Sequence, residues 1–193
     1  MRSICVFCSS SPGNDPTYAT AARRLGQMFA QEGITLIYGG GRVGLIGVVA
    51  DAVLDADGEA IGVIPKALLE REIGHTGLTD LRVVGSMHER KALMSELSDG
   101  FIALPGGSGA LEEFFEVLTW AQLGEHAKPC GLLNAGDYYD PLLSLFDHMV
   151  ERGFLSEEHR AMILVDTEPQ PLLETMRCYR PPKTAKWIDK EET

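Results

Sequence analysis

Short apolar runs alternate with amphipathic stretches along most of the chain. Residues 4–7, 35–38, 60–64, 81–84, 101–104, 130–133 and 162–165 each have the length and apolar character of a strand. Between them apolar positions return at helical spacing. Tyr18, Ala22, Leu25 and Phe29 follow Asp15-Pro16, a good N-cap and first-turn pair, and Gly33 ends that segment. Leu111, Phe114, Phe115 and Leu118 fall at i, i+3, i+4 and i+7, one buried stripe of a helix. Leu142, Leu145, Phe146 and Met149 repeat the pattern between Asp140-Pro141 and Gly153. Ser86 and Glu89 match a capping box, which gives Glu89 a structural role. A short helix is expected over 168–176. Residues 66–79 read as an exposed loop with a short helical piece around Leu68 and Leu69. Strands alternating with helices across short loops predict an α/β fold, a parallel sheet with helices on both faces, with ligands at the carboxyl ends of the strands.

Composition narrows this picture. A chain of 193 residues with 45% hydrophobic content suits one domain, assigned to 1–180, followed by a polar tail at 181–193. A formal charge of -11 with no Lys/Arg block excludes nucleic acid as a bulk partner. A small anion can still be met by a few placed groups. Cys5 and Cys8 form one Cys-x-x-Cys spacing without a second pair or a histidine cluster, so no metal site is expected, and Cys5, Cys8, Cys130 and Cys178 are read as free thiols. No signal-peptide pattern and no apolar stretch near the roughly 20 residues a membrane span needs are found, which points to the cytoplasm and to no membrane partner.

Three segments carry candidate chemistry, and all follow strands on one edge of the expected sheet. The first is Gly39-Gly40-Gly41-Arg42-Val43-Gly44, which fits G-x-G-x-x-G; Gly40 and Gly41 are candidates for a phosphate or ribose contact, with close helix-strand packing as the alternative. The acid that a nicotinamide dinucleotide site needs after the next strand is missing, since Pro65 and Lys66 stand there. In the second, Arg90 and Lys91 sit early in a helix, where cations oppose its dipole; they either hold an anion or are solvated. The third runs from Pro105 to Glu113, where glycines feed a helix N-terminus suited to phosphate, and Glu112 and Glu113 follow as dipole complements or as chemistry. Ser9-Ser10-Ser11 is a further anion candidate.

Pro105-Gly106-Gly107-Ser108-Gly109-Ala110-Leu111-Glu112-Glu113 resembles the PGGxGTxxE motif of the LONELY GUY (LOG) family of cytokinin riboside 5'-monophosphate phosphoribohydrolases. Met87-His88-Glu89-Arg90-Lys91 resembles the family's second signature, residues 38–47 its glycine loop, and residues 118–124 continue the pattern. The resemblance implies a Rossmann-like three-layer homodimer. It would hydrolyse the N-glycosidic bond of nucleoside 5'-monophosphates, cytokinin ribotides and AMP among them, without cofactor or metal. By position it implies Arg90 and Glu113 as the catalytic pair, and Glu72, Lys91, Thr119 and the loop residues Gly106, Gly107, Ser108, Gly109, Ala110, Leu111 and Glu112 as substrate contacts. A nonenzymatic nucleotide or cofactor carrier is the alternative. Two departures stand out: Ser9 where the family has glycine, and Ala110 where it has a hydroxyl residue. With alanine at 110, a Thr-x-x-Glu capping box that would explain Glu113 structurally is lost. Relatives have also carried a lysine decarboxylase label, but no lysine here stands in an evident pyridoxal phosphate setting.

Overall fold

The computed structural model describes residues 1–69, 74, 75 and 77–182. Seven strands form one parallel sheet: β1 (Ser3–Phe7), β2 (Thr35–Tyr38), β3 (Ala60–Pro65), β4 (Asp80–Val84), β5 (Phe101–Ala103), β6 (Cys130–Leu133) and β7 (Ile163–Asp166). Their spatial order is β4-β3-β2-β1-β5-β6-β7. The chain therefore winds outward from β1 through β4, then restarts on the other side of β1 with β5, where Cys5 pairs with Phe101. That reversal opens a crevice beyond the carboxyl ends of β1 and β5.

Two helical layers cover the sheet. On one face lie α1 (Pro16–Gln31), α2 (Gly44–Leu54) and α8 (Pro169–Cys178), packed on Ile4, Val6, Leu36, Tyr38, Ile102 and Leu104. On the other, α4 (Met87–Glu96), α5 (Ser108–Gln122) and α6 (Asp140–Glu151) pack on Cys5, Phe7, Ile37, Phe101, Ala103 and Leu132. Alternate residues of the strands thus enter opposite cores, the two-residue period of a strand buried on both faces. The Cys-x-x-Cys pair is divided by the same alternation, because Cys5 enters one core and Cys8 the other. Cys5, Cys8, Cys130 and Cys178 are all free.

The helix signals act as expected at two places. Asp15 accepts from the Thr17 N–H at 2.8 Å, and Ser86 accepts from the Glu89 N–H at 3.1 Å. The return arm of the second box lands one residue early, with Glu89 accepting from Gly85 N–H at 2.7 Å. Two short helices complete the chain, α3 (Lys66–Leu69) and α7 (Glu157–Arg160), the latter unforeseen because four residues show no periodicity.

Within the stretch expected to be an exposed loop, His75 departs from that reading. His75 is buried: its Nε2 stands 2.8 Å from Asp51, its Nδ1 accepts from Gly77 N–H, and its own N–H donates to the Gly40 carbonyl. The loop is thereby tied to the glycine turn after β2. Among the described residues no helix is long and apolar enough to cross a membrane.

Candidate active site

The glycine turn after β2 closes against the serine loop after β1. At Gly44, the first residue of α2, φ is +61°, and a Cβ there would overlap the Ser10 backbone, so neither the conformation nor the space admits another residue. Ile46 N–H donates to Ser9 O at 3.2 Å and fastens the two loops together. The third wall is the loop after β5. It ends in α5, whose N-cap is Gly107 and whose first-turn N–H groups lack helical partners.

Between these loops lies a cavity of about 330 Å³ lined by Cys8, Ser9, Ser10, Gly39, Gly41, Val43, Ile46, Leu68, Met87, Arg90, Gly107–Ala110, Glu112 and Glu113. Its lining joins polar groups, the α5 N-terminus and the serine loop, to the apolar side chains of Val43, Ile46, Leu68 and Met87, of which Val43 is 51% and Met87 42% exposed.

Arg90 and Glu113 meet in this lining. Arg90 Nη2 and Glu113 Oε1 are 3.7 Å apart, and each side chain is only 13% exposed. This separation is an ion pair rather than a hydrogen bond. Among the described residues none accepts from the buried Arg90 Nε, so the pair retains unused hydrogen-bonding capacity. Burial pushes the Glu113 carboxyl above its ordinary range, and the Arg90 charge only partly draws it back. Gly39 makes the Arg90 position accessible, because the guanidinium lies where a Cβ at residue 39 would be.

The cation at residue 91 has a different role. Lys91 Nζ reaches Glu112 at 2.6 Å and Glu116 at 3.0 Å. Burial lowers its pKa, but the hydrogen bonds to both glutamates outweigh that and raise it overall. Two ion pairs thus join α4 to α5, which explains why cations sit early in α4 despite its dipole.

The glycine loop itself is held from behind. After β6, Gly136 and Asp137 both adopt positive φ, at +60° and +56°, and turn the chain back so that Tyr138 and Tyr139 face the loop after β5. Tyr138 OH donates to Gly106 O at 2.7 Å and Tyr139 OH to Leu104 O at 2.6 Å. Asn134 fixes the turn by accepting from Tyr139 N–H at 2.6 Å.

Of the residues singled out in the sequence, Arg90, Glu113, Glu112, Gly107, Ser108, Gly109, Ala110 and Gly41 line the cavity. Gly40 lies beside it, buried in the turn, and Gly106 lines a smaller hollow on the far side of the loop. Leu111 packs against the core, Lys91 is engaged with the glutamates, and Thr119 is exposed, its hydroxyl donating to Phe115 O. Glu72 lies outside the described residues. Position 110 also differs from its expected role: α5 starts at Ser108, so residue 110 is the third residue of the helix and no residue there could be its N-cap. The missing capping box therefore has no bearing on Glu113. Ser9 and Ser10 of the serine run, a further anion candidate in the sequence, also line the cavity, whereas Cys8, Gly39, Val43, Ile46, Leu68 and Met87 were not named there as site residues.

About half of the aligned positions are identical in two curated relatives, over most of the chain. The probable cytokinin riboside 5'-monophosphate phosphoribohydrolase LOGL5 of Oryza sativa subsp. japonica is 50% identical over 94% of this chain and 74% of its own length. The cytokinin riboside 5'-monophosphate phosphoribohydrolase of Rhodococcoides fascians is 50% identical over 85% of this chain and 83% of its own. This chain belongs to the LOG family. The family description "Possible lysine decarboxylase" also matches residues 46–176. Among the described residues no lysine lines the cavity, so that label finds no amine at the site of a LOG protein. Among solved structures, the molybdenum cofactor binding protein of Rippkaea orientalis aligns with a TM-score of 0.69 at 23% identity, over 92% of this chain and 97% of that one. The molybdenum cofactor carrier protein of Chlamydomonas reinhardtii aligns at 0.67 and 17%, over 92% and 96%. These two share the fold.

Proposed function

We propose that this LOG protein hydrolyses the N-glycosidic bond of cytokinin riboside 5'-monophosphates, with AMP as a further substrate, releasing the free base and ribose 5-phosphate. The observation that carries this reading is the Arg90–Glu113 pair, largely withdrawn from solvent, in the lining of a cavity that also holds a phosphate-compatible helix terminus and apolar side chains. A cofactor carrier needs the helix terminus and the apolar side chains, but has no use for a desolvated carboxyl beside a guanidinium. The relatives at 48–50% identity carry the phosphoribohydrolase name.

The roles follow from chemistry. The 5'-phosphate sits at the α5 N-terminus, where free N–H groups and the helix dipole favour an anion. The base then extends toward Val43, Ile46, Leu68 and Met87, which suit an apolar substituent. As the bond from C1' to the base nitrogen breaks, positive charge builds on the ribose and electron density moves to the base. The Glu113 carboxylate stabilises the sugar cation or takes a proton from the water that attacks C1', and its raised pKa brings it closer to the working range of a general base. Arg90 orients the substrate by charge, and the leaving base nitrogen takes its proton from solvent water. We assign residues 1–180 to one catalytic domain, acting as a homodimer in the cytoplasm. Free buried thiols support the compartment, and the exposed Thr119 face of α5 is available to the partner.

Incubation of the purified protein with AMP and with isopentenyladenosine monophosphate, followed by chromatography, tests the proposal. Free base and ribose 5-phosphate in equal amounts are expected. Nucleotide binding without either product would refute hydrolysis and favour the carrier.

A further inference from the structure

The two tyrosines behind the glycine loop do unequal work. Tyr139 is buried, and its bond to Leu104 O fixes a peptide whose nitrogen belongs to Pro105 and carries no hydrogen. Tyr138 is 39% exposed, yet its hydroxyl makes a 2.7 Å bond to Gly106 O across 32 residues of chain. A peptide unit is planar and trans, so the Gly106 carbonyl and the Gly107 N–H share one rigid plane and point in opposite directions. Gly107 lines both the main cavity and the hollow of about 130 Å³ behind the loop, which Tyr138 and Tyr18 also line. Holding the carbonyl on the hollow side turns the N–H toward the cavity. None of the described residues accepts from that N–H.

Glycines on both sides of this plane leave it free to rotate unless something outside the loop holds it. Tyr138 is itself braced, edge-on against Tyr18 with ring centroids 5.7 Å apart and against Tyr139 at 5.1 Å. We infer that Tyr138 is a positioning residue for phosphate recognition: its hydroxyl fixes the Gly106–Gly107 peptide so that the Gly107 N–H is presented to the 5'-phosphate. This rests on the proposed substrate class, but it concerns binding and not bond cleavage.

Calorimetry with ribose 5-phosphate and with adenosine, on wild type, Tyr138→Phe and Tyr18→Phe, tests the assignment. The phenylalanine ring keeps the aromatic contacts and removes only the hydroxyl. Tyr138→Phe is expected to raise the ribose 5-phosphate dissociation constant by about 3- to 10-fold, the scale of one ordinary hydrogen bond, and to leave adenosine unaffected. With AMP as substrate, KM should rise by the same factor with kcat within about twofold. Tyr18→Phe should match wild type. An unchanged ribose 5-phosphate constant in Tyr138→Phe, or an equal loss for adenosine, overturns the assignment. Wild type that binds ribose 5-phosphate but forms none from AMP overturns hydrolysis and leaves this inference intact, whereas wild type that binds no ribose 5-phosphate overturns the inference.

Discussion

Gly39→Ala isolates the placement of Arg90 from the stability of the fold. Gly39 is not among the glycines with positive φ, so alanine meets no backbone penalty there. Its Cβ would overlap Arg90 Nη2 and stand 3.2 Å from Cζ and 3.8 Å from Nε. All three atoms belong to the far end of a flexible side chain, which can withdraw at little cost to the core. To reach ordinary contact the guanidinium must move by about 1 Å or more. A displacement of that size at a reacting centre lowers kcat/KM by about 10²-fold, equivalent to about 2.7 kcal/mol of transition-state stabilisation. The melting temperature should stay within a few degrees of wild type. Gly40→Ala is the contrast, because φ is +76° there and Leu81 Cδ1 would lie 3.2 Å from the new Cβ. Strain of about 1–2 kcal/mol should lower its melting temperature by about 2–8 °C. Chromatographic release of base from AMP, paired with circular dichroism melts, measures both quantities. A folded Gly39→Ala protein with kcat/KM within threefold of wild type would refute the reasoning that the bare backbone at 39 exists to seat Arg90.

Other expectations concern the carboxyl and the loop. Glu113→Gln should lower kcat by about 10²- to 10⁴-fold while sparing nucleotide binding, checked by single-turnover kinetics and calorimetry. The same substitution reports on proton linkage. The native Glu113 carboxyl holds its proton to a higher pH than the unfolded one, so wild-type stability contributed by this group is present below the unfolded pKa and falls as pH rises through the native one. Glutamine mimics the protonated form, so the variant's melting temperature should gain on wild type as pH rises above the ordinary glutamate value of about 4.3; a difference that is flat with pH contradicts the raised pKa. Ala110→Thr should keep the fold and tighten nucleotide binding by about 2- to 10-fold through one added hydrogen bond, and an unchanged or raised dissociation constant by calorimetry would count against it. Tyr139→Phe strands the buried Leu104 carbonyl and should cost about 1–3 kcal/mol in denaturant unfolding.

The elements with local signals were legible in the chain. Strand positions followed from apolar runs bounded by turn residues, and Asp15, Ser86 and Glu89 marked helix starts because a cap is decided within three or four residues. The convergence of three loops on one edge followed from parallel topology alone. What depended on distant contacts was hidden. Nothing near Gly39 signals that a guanidinium from residue 90 will lie on it, and nothing near Tyr138 signals a bond to residue 106. The start of α5 was misplaced because Gly107-Ser108-Gly109 reads as loop in isolation; the helix begins there because Phe114, Val117 and Leu118 are drawn into the core. His75 was misjudged because its partner, Asp51, lies 24 residues earlier on α2.

The sheet order also determines when the cavity can exist. Its lining comes from residues 8–10, 39–46, 68, 87–90 and 107–113, and β1 must join β5 across the whole of β2, β3, β4 and their helices before these segments meet. Such pairing between distant residues is formed late and slowly. No one of these segments holds the cavity alone, so a ligand that recognises it binds only once β1 to β5 are assembled. Occupancy then bears on the global folding equilibrium, and a ligand at 100 times its dissociation constant would add about 2.7 kcal/mol to unfolding as a whole.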